Sequence, residues 1–209
     1  MKFVALVSSG IDSPVATFLV SKKADEIILI HADNRPFTDE REIENFVRLA
    51  KHLKKQCSSR MKAYIVPHGK SLTCFQEKGN HRFTCVFCKR MMLRYAEQLA
   101  IKEGAEGIIM GDSLGQVASQ TLQNIRVIEQ AVRIPVLRPL IGLDKEDVVR
   151  IAKEIGTYEL SIVHSAGCLA VPSKPATRAL LHDILEEEKQ YNIDELVGLI
   201  VEDASVVKL

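Results

Sequence analysis

Apolar positions in this chain follow two rhythms. Unbroken apolar runs occur at residues 3–7 (FVALV), 26–32 (EIILIHA), 61–66 and 106–110 (EGIIM), with a fifth at 134–138. Runs without a polar face mark strands covered on both sides, as in a parallel sheet. Between them lie amphipathic stretches that predict helices over residues 14–22, 84–103, 119–131, 144–155, 176–190 and 193–203. A further long helix is predicted after residues 33–38, capped by Thr38, with Asp39 and Glu40 at its positive end and Lys54 and Lys55 at its negative end. Gly104 stops the helix that ends at residue 103, and Asp144 is the expected N-cap of the helix that follows it. Residues 67–83 read as an irregular functional loop, 157–164 as a strand or extended piece, and 165–175 as loop.

Strands alternating with helices predict an α/β fold, a doubly wound and mostly parallel sheet flanked by helices, in one domain over residues 1–209. Ligands of such sheets bind at the carboxyl ends of the strands. The polar strand ends therefore meet in one expected cleft: Ser8 to Ser13, His31 with Ala32, and Gly111 to Gln120.

The first of these ends carries the most chemistry. Ser8-Ser9-Gly10 closes the opening strand, and Asp12 and Ser13 enter a helix with Pro14 in its first turn. Small residues let the backbone approach a ligand, and the free N–H groups of a helix start suit an anion, phosphate above all. Neither G-x-x-x-x-G-K-[ST] nor G-x-G-x-x-G occurs here. Lys145, just inside its helix, reads on spacing alone as a solvent-facing lysine, although it is able to neutralise phosphate charge.

Composition narrows the field without choosing within it. With 209 residues, 46% of them hydrophobic and 26% charged, the chain has the composition of a folded domain rather than a disordered tail. A net charge of +1 gives no strong footprint for nucleic acid. No apolar run reaches the ~20 residues of a membrane span, and the first residues enter a strand, so no signal peptide is expected. Five cysteines, odd in number, point to metal or redox chemistry in a reducing cytoplasm.

Cys85 and Cys88 lie three apart at a helix start, where the dipole and the neighbouring Lys89 and Arg90 favour thiolates. Cys168 sits in a Ser-Ala-Gly-Cys loop, while Cys57 and Cys74 have no such setting. Cys85 and Cys88 also read as two buried apolar side chains. If the three are functional, they suit an iron–sulfur cluster with one open iron, or zinc with His81 or Cys74 as fourth ligand. A metal-free alternative gives Cys168 a persulfide that one of the pair resolves.

Residues Ser8 to Ser13 resemble the PP-loop of ATP pyrophosphatases, with Ser9 where that family usually has glycine. Residues 89–94, 111–122 and 138–147, with the Cys168 loop and its 172–177 tail, look like the tRNA 4-thiouridine synthetases, the tRNA sulfurtransferase (ThiI) family. The resemblance implies adenylation of a tRNA uridine by ATP and replacement of its oxygen by sulfur. It implies adenine read at Leu6-Val7 and His31-Ala32, phosphate held by Ser8, Ser9, Gly10, Asp12 and Ser13, and Asp12 orienting ATP and Mg2+. It adds Arg90, Gly111 and Gln120 as nucleotide contacts and Lys145 as the adenylation lysine. Cys168 becomes the sulfur-handling cysteine, and Cys85, Cys88 and Cys168 resemble the archaeal-type ligands of an iron–sulfur cluster. Asp112 stands where glutamate is common. The family's THUMP and rhodanese domains are expected to be absent. A separate THUMP-type protein would then present the tRNA, with a sulfur donor protein or sulfide as source and a homodimer as assembly. A small-molecule adenylating enzyme of sulfur or thiamine metabolism and a non-catalytic nucleotide-binding subunit are the alternatives.

Overall fold

The structure, a computed structural model, describes residues 1–163 and 167–209. Six strands form one sheet: β1 (Lys2–Leu6), β2 (Glu26–Ala32), β3 (Arg60–Val66), β4 (Gly107–Ile109), β5 (Val136–Leu137) and β6 (Ser205–Val207). Their order is β5-β4-β1-β2-β3-β6, and every neighbouring pair is parallel except β3 and β6. The chain winds outward from β1 through β2 to β3, then returns to β4 on the other side of β1. The switch point of the sheet therefore lies between β1 and β4, where such folds bind their ligands.

The unbroken apolar runs have the predicted cause. Val4, Leu6, Ile28, Ile30, Tyr64 and Val66 face one helical layer, and Phe3, Ala5, Val7, Ile27, Leu29 and Ala63 face the other. The second layer is built from α1 (Asp12–Ser21), α2 (Arg41–Gln56), α6 (Lys145–Glu154) and the short α7 (Tyr158–Ser161). The first layer holds α3 (Gly69–Lys78), α4 (Thr84–Glu103), α5 (Leu122–Glu129), α8 (Leu181–Glu188) and α9 (Ile193–Glu202). Burying apolar area on both faces of one sheet, at roughly 25 cal/mol per Å², is the main favourable term holding the layers together.

Several elements differ from expectation. Residues 67–83 are mostly helical, as α3 and a 3-10 turn at His81–Phe83, because Leu72 and Phe75 share one buried face. The described part of 157–164 turns into α7 instead of extending, and Tyr158 packs on the α2 side. His164, Ser165 and Ala166 lie outside the described residues. Thr38 does not cap α2, which starts at Arg41; Asp39 instead accepts a hydrogen bond from the Arg41 N–H at 3.1 Å. Asp144 occupies the cap position of α6 without a capping bond, whereas Thr121 caps α5 by accepting from Asn124 N–H. Gly104 ends α4 with a left-handed φ of 69°, as predicted.

Candidate active site

The end of β1 becomes a phosphate-type loop through its own side chains. Ser8 N–H donates to Ser13 Oγ at 2.9 Å, and Gly10 N–H donates to Ser8 Oγ at 3.3 Å. These bonds fasten the loop to the first turn of α1, whose open N–H groups favour an anion. Gly111, just past β4, forms the opposite wall; a Cβ there would stand 2.7 Å from Ser13 N, so only glycine lets the two strand ends approach.

Between them is a cleft of about 280 Å³, bordered by Leu6, Val7, Ser8, Gly10, Asp12 and Ser13 from the first strand end. His31, Ala32, Gly111 and Gln120 border it from the others, so most of the predicted nucleotide contacts converge. A larger depression of about 1130 Å³ follows the outer side of α5, with mostly apolar walls, and lies apart from the strand ends.

The cleft wall holds polar atoms with unmet capacity. His31 is buried, stacks on Phe46 with ring centroids 4.6 Å apart, and has Nδ1 3.0 Å from the Val7 carbonyl. A carbonyl only accepts, so Nδ1 carries the hydrogen and Nε2 is an acceptor. Burial is the largest influence on this ring and holds its pKa below the ordinary value, keeping it neutral. Gln120 donates its Nε2 to Asp112 Oδ1 at 3.3 Å, which leaves Oε1 as an acceptor. His31 Nε2, Gln120 Oε1 and Asn34 Oδ1 are all buried without a partner. A buried polar group left unpaired costs about 1–3 kcal/mol, so these atoms mark a ligand carrying N–H or O–H groups.

A charged cluster backs this wall. Asp112 is 4% exposed and accepts from Lys89 Nζ at 2.6 Å and Arg138 Nε at 3.2 Å. Burial pushes its carboxyl up, but Lys89 and Arg138 outweigh that and hold it below the usual carboxylate value. Lys89 borders the cleft. Arg90, expected to touch nucleotide, does not: it is 1% exposed, donates to Glu188 at 2.8 and 2.9 Å, and also donates to the Val127 carbonyl. On an α-helix the next residue points about 100° away, which turns Arg90 into the core.

Ser9 does not itself line the cleft and donates its hydroxyl to Glu42 Oε2. Glu42 itself borders the cleft, so this bond ties the loop to the start of α2 at the cleft edge. Lys145 reaches the site through Asp12, with Nζ 2.5 Å from Oδ1.

The cysteines form a neighbouring group. The Cys168 loop is anchored by Leu169 N–H donating to the Phe37 carbonyl at 2.8 Å and by Gln76 donating to Ala170 O at 3.4 Å. The expected thiolates are absent. Burial pushes the Cys85 and Cys88 thiols up, with Cys168 adding to it and Lys89 only partly opposing it. Burial likewise raises Cys168, against the N–H groups of Ala170 and Val171. Among the described residues no three His, Cys, Asp or Glu side chains are arranged to hold a metal ion. His81 is exposed and bonded to Gln76. The three cysteines as they stand do not fit a closed ligand set for iron or zinc.

Sequence reasoning missed Lys89 and Glu42. Sequence placed Lys89 beside the cysteines rather than at the cleft, and nothing in the sequence marks Glu42, an acid in the first turn of α2, as a residue of the cleft wall.

A family model described as "Thiamine biosynthesis protein (ThiI)" matches residues 1–193. The probable tRNA sulfurtransferase of Methanothermobacter thermautotrophicus is 40% identical over 209 residues, covering 100% of this chain and 54% of that protein. Its counterpart from Thermococcus kodakarensis is 45% identical over 181 residues, 85% of this chain and 46% of that one. A crystal structure of a 4-thiouridine synthetase–RNA complex with bound ATP matches with a TM-score of 0.93 at 33% identity, over 99% of this chain and 55% of that chain. NMN synthetase from Francisella tularensis shares the fold alone, with a TM-score of 0.55 at 15% identity. The chain spans about half the length of the curated relatives it matches.

Proposed function

Because the chain belongs to the ThiI family, we propose that it is the ATP-using catalytic domain of a tRNA sulfurtransferase, adenylating a tRNA uridine and exchanging its oxygen for sulfur to give 4-thiouridine. The observation that carries this is the cleft at the switch point, where unpartnered buried acceptors on His31 and Gln120 face the Ser8 to Ser13 loop. An adenosine offers the missing hydrogens through its amino group and ribose hydroxyls, and its phosphates suit the loop and the helix start. Asp12 borders the cleft as a hard oxygen donor suited to Mg2+, which would offset phosphate charge when bound. Lys145 and Lys89 supply fixed positive charge for the developing pyrophosphate.

Sulfur delivery is derived from the thiols alone. Cys168 takes a persulfide from a sulfur donor, and the terminal sulfur displaces AMP from the activated uridine C4. A second thiol, from Cys85 or Cys88, then attacks Cys168 Sγ. The S–S bond to the uridine sulfur breaks with its electron pair going to that sulfur, and an external dithiol reduces the disulfide left behind. The iron–sulfur cluster that the family resemblance implies finds no fitting ligand set among the described residues, and no step is routed through one. The tRNA is presented by a THUMP-type partner, in keeping with a net charge of only +1, and the enzyme acts as a cytoplasmic homodimer.

The test is AMP and pyrophosphate release with and without tRNA and partner, with nucleoside mass spectrometry for 4-thiouridine. Turnover that requires tRNA and yields 4-thiouridine is expected. Turnover on a small molecule without tRNA sinks the proposal. Iron and sulfide content of anaerobically purified protein, before and after Cys85→Ala, Cys88→Ala and Cys168→Ala, decides on the cluster.

A further inference from the structure

Asp112 holds more than its two cations. Its Oδ1 accepts from Lys89 Nζ at 2.6 Å and also from Gln120 Nε2 at 3.3 Å, while Oδ2 takes Arg138 Nε at 3.2 Å. Against the burial that pushes it up, Lys89 and Arg138 hold this carboxyl below the usual value, so it is ionised and has no hydrogen to give. Turning the Gln120 amide over would set oxygen against oxygen at that spacing. The nitrogen must therefore face Asp112, and Oε1 must face away from it. Oε1 is buried and has no partner among the described residues, so Asp112 is what chooses the orientation of the amide.

The backbone of Gln120 is placed just as firmly. Its N–H donates to the Val117 carbonyl at 2.8 Å, and its own carbonyl accepts from Gly115 N–H at 2.9 Å. These bonds fold the segment after β4 back on itself and end it in the 3-10 turn Ala118–Gln120. A neutral acceptor is thus built into the cleft wall. The carboxylate behind it polarises the amide and strengthens Oε1 as an acceptor.

Strand β1 lies between β4 and β2, so Gln120 borders the cleft from the β4 side and His31 from the β2 side. With phosphates on the Ser8 to Ser13 loop, the base goes to the β2 side, where Leu6, Val7, His31 and Ala32 are expected to read adenine. That leaves the β4 side to the ribose, whose uncharged hydroxyls suit a single neutral acceptor. We infer that Asp112 is a positioning residue which, by locking Gln120 Oε1 to accept from a ribose hydroxyl, makes the cleft select a ribonucleotide over its deoxy counterpart. The inference rests on the ATP reading of this cleft and deepens it.

Titration calorimetry on the full chain compares ATP with 2′-deoxy-ATP and 3′-deoxy-ATP. The unaltered chain should bind ATP about tenfold more tightly than one of the two analogues, because the missing hydroxyl leaves Oε1 buried and unpaired. Asp112→Asn lets the Gln120 amide face it either way, and the preference should shrink to about twofold or less. Asp112→Glu keeps a carboxylate and should keep the preference. Gln120→Met should abolish it, and adding Asp112→Asn to Gln120→Met should change the ratio no further. Weaker phosphate binding by a loosened Lys89 lowers all three affinities together and cancels from the ratio. A preference that survives in folded Asp112→Asn overturns the inference. If Asp112→Asn does not fold, a preference kept by Gln120→Met or lost in folded Asp112→Glu overturns it instead. ATP bound with no ribose preference in the unaltered chain refutes the inference alone, whereas no binding of any of the three nucleotides refutes the ATP reading beneath it.

Discussion

Lys145 Nζ lies 2.5 Å from Asp12 Oδ1, joining the first turn of α6 to the first turn of α1. The lysine is about half exposed, so the pair contributes at most about 1 kcal/mol to folding. Its value is positional: the ammonium is held beside the loop where phosphate charge would develop. Lys145→Ala and Asp12→Asn should each lower AMP formation by about a hundredfold or more, with urea midpoints nearly unchanged. Equal losses in activity and stability would mark the pair as structural.

Glu188 accepts four N–H groups, two from Arg90 and two from Arg94 at 2.7 Å, and pins α8 to α4. Removing one partner of a buried pair leaves charge without compensation. Glu188→Ala should cost about 3–5 kcal/mol in urea unfolding, more than any single exposed pair.

Gly111→Ala forces a methyl against Ser13 and Asp12 backbone. The strand ends must separate, at roughly 1–3 kcal/mol. Calorimetry should find ATP affinity reduced further than the stability loss alone would give, because the displaced atoms belong to the loop.

His31 and His68 are both buried and neutral, burial being the leading cause in each case. Their folded pKa values lie below the unfolded value of ~6.5, so the unfolded chain binds protons first. Stability should thus fall as pH drops below about 6.5, by up to ~1.4 kcal/mol per unit for each ring. Urea unfolding at about pH 7 and pH 5 checks this, and His68→Gln should remove one ring's share of the slope.

The parallel strands were legible because burial on both faces leaves no polar alternation, as in residues 26–32. The Ser8 to Ser13 loop was legible because its chemistry is contiguous in sequence. The helix over Gly69–Lys78 was not, since only Leu72 and Phe75 declare its buried side and two glycines bracket it. The thiolate expectation failed for a related reason. Sequence displays Lys89 and Arg90 beside the cysteines, but the fold commits those cations to Asp112 and Glu188 and leaves the cysteines half-buried, where desolvation raises their thiols. His68 signals itself only as a polar residue at a strand end, the same position that identified His31.

The rod of α4 carries Cys85 and Cys88, Lys89 with its pairing to Asp112, and Arg90 and Arg94 with their fastening to α8. Each residue along it advances 1.5 Å and turns 100°. Adding or deleting one residue within Cys85 to Arg94 would swing every later group off its partner at once. Substitutions in this stretch fail one at a time, whereas a change of length fails collectively, so the stretch acts as a ruler whose marks cannot slide.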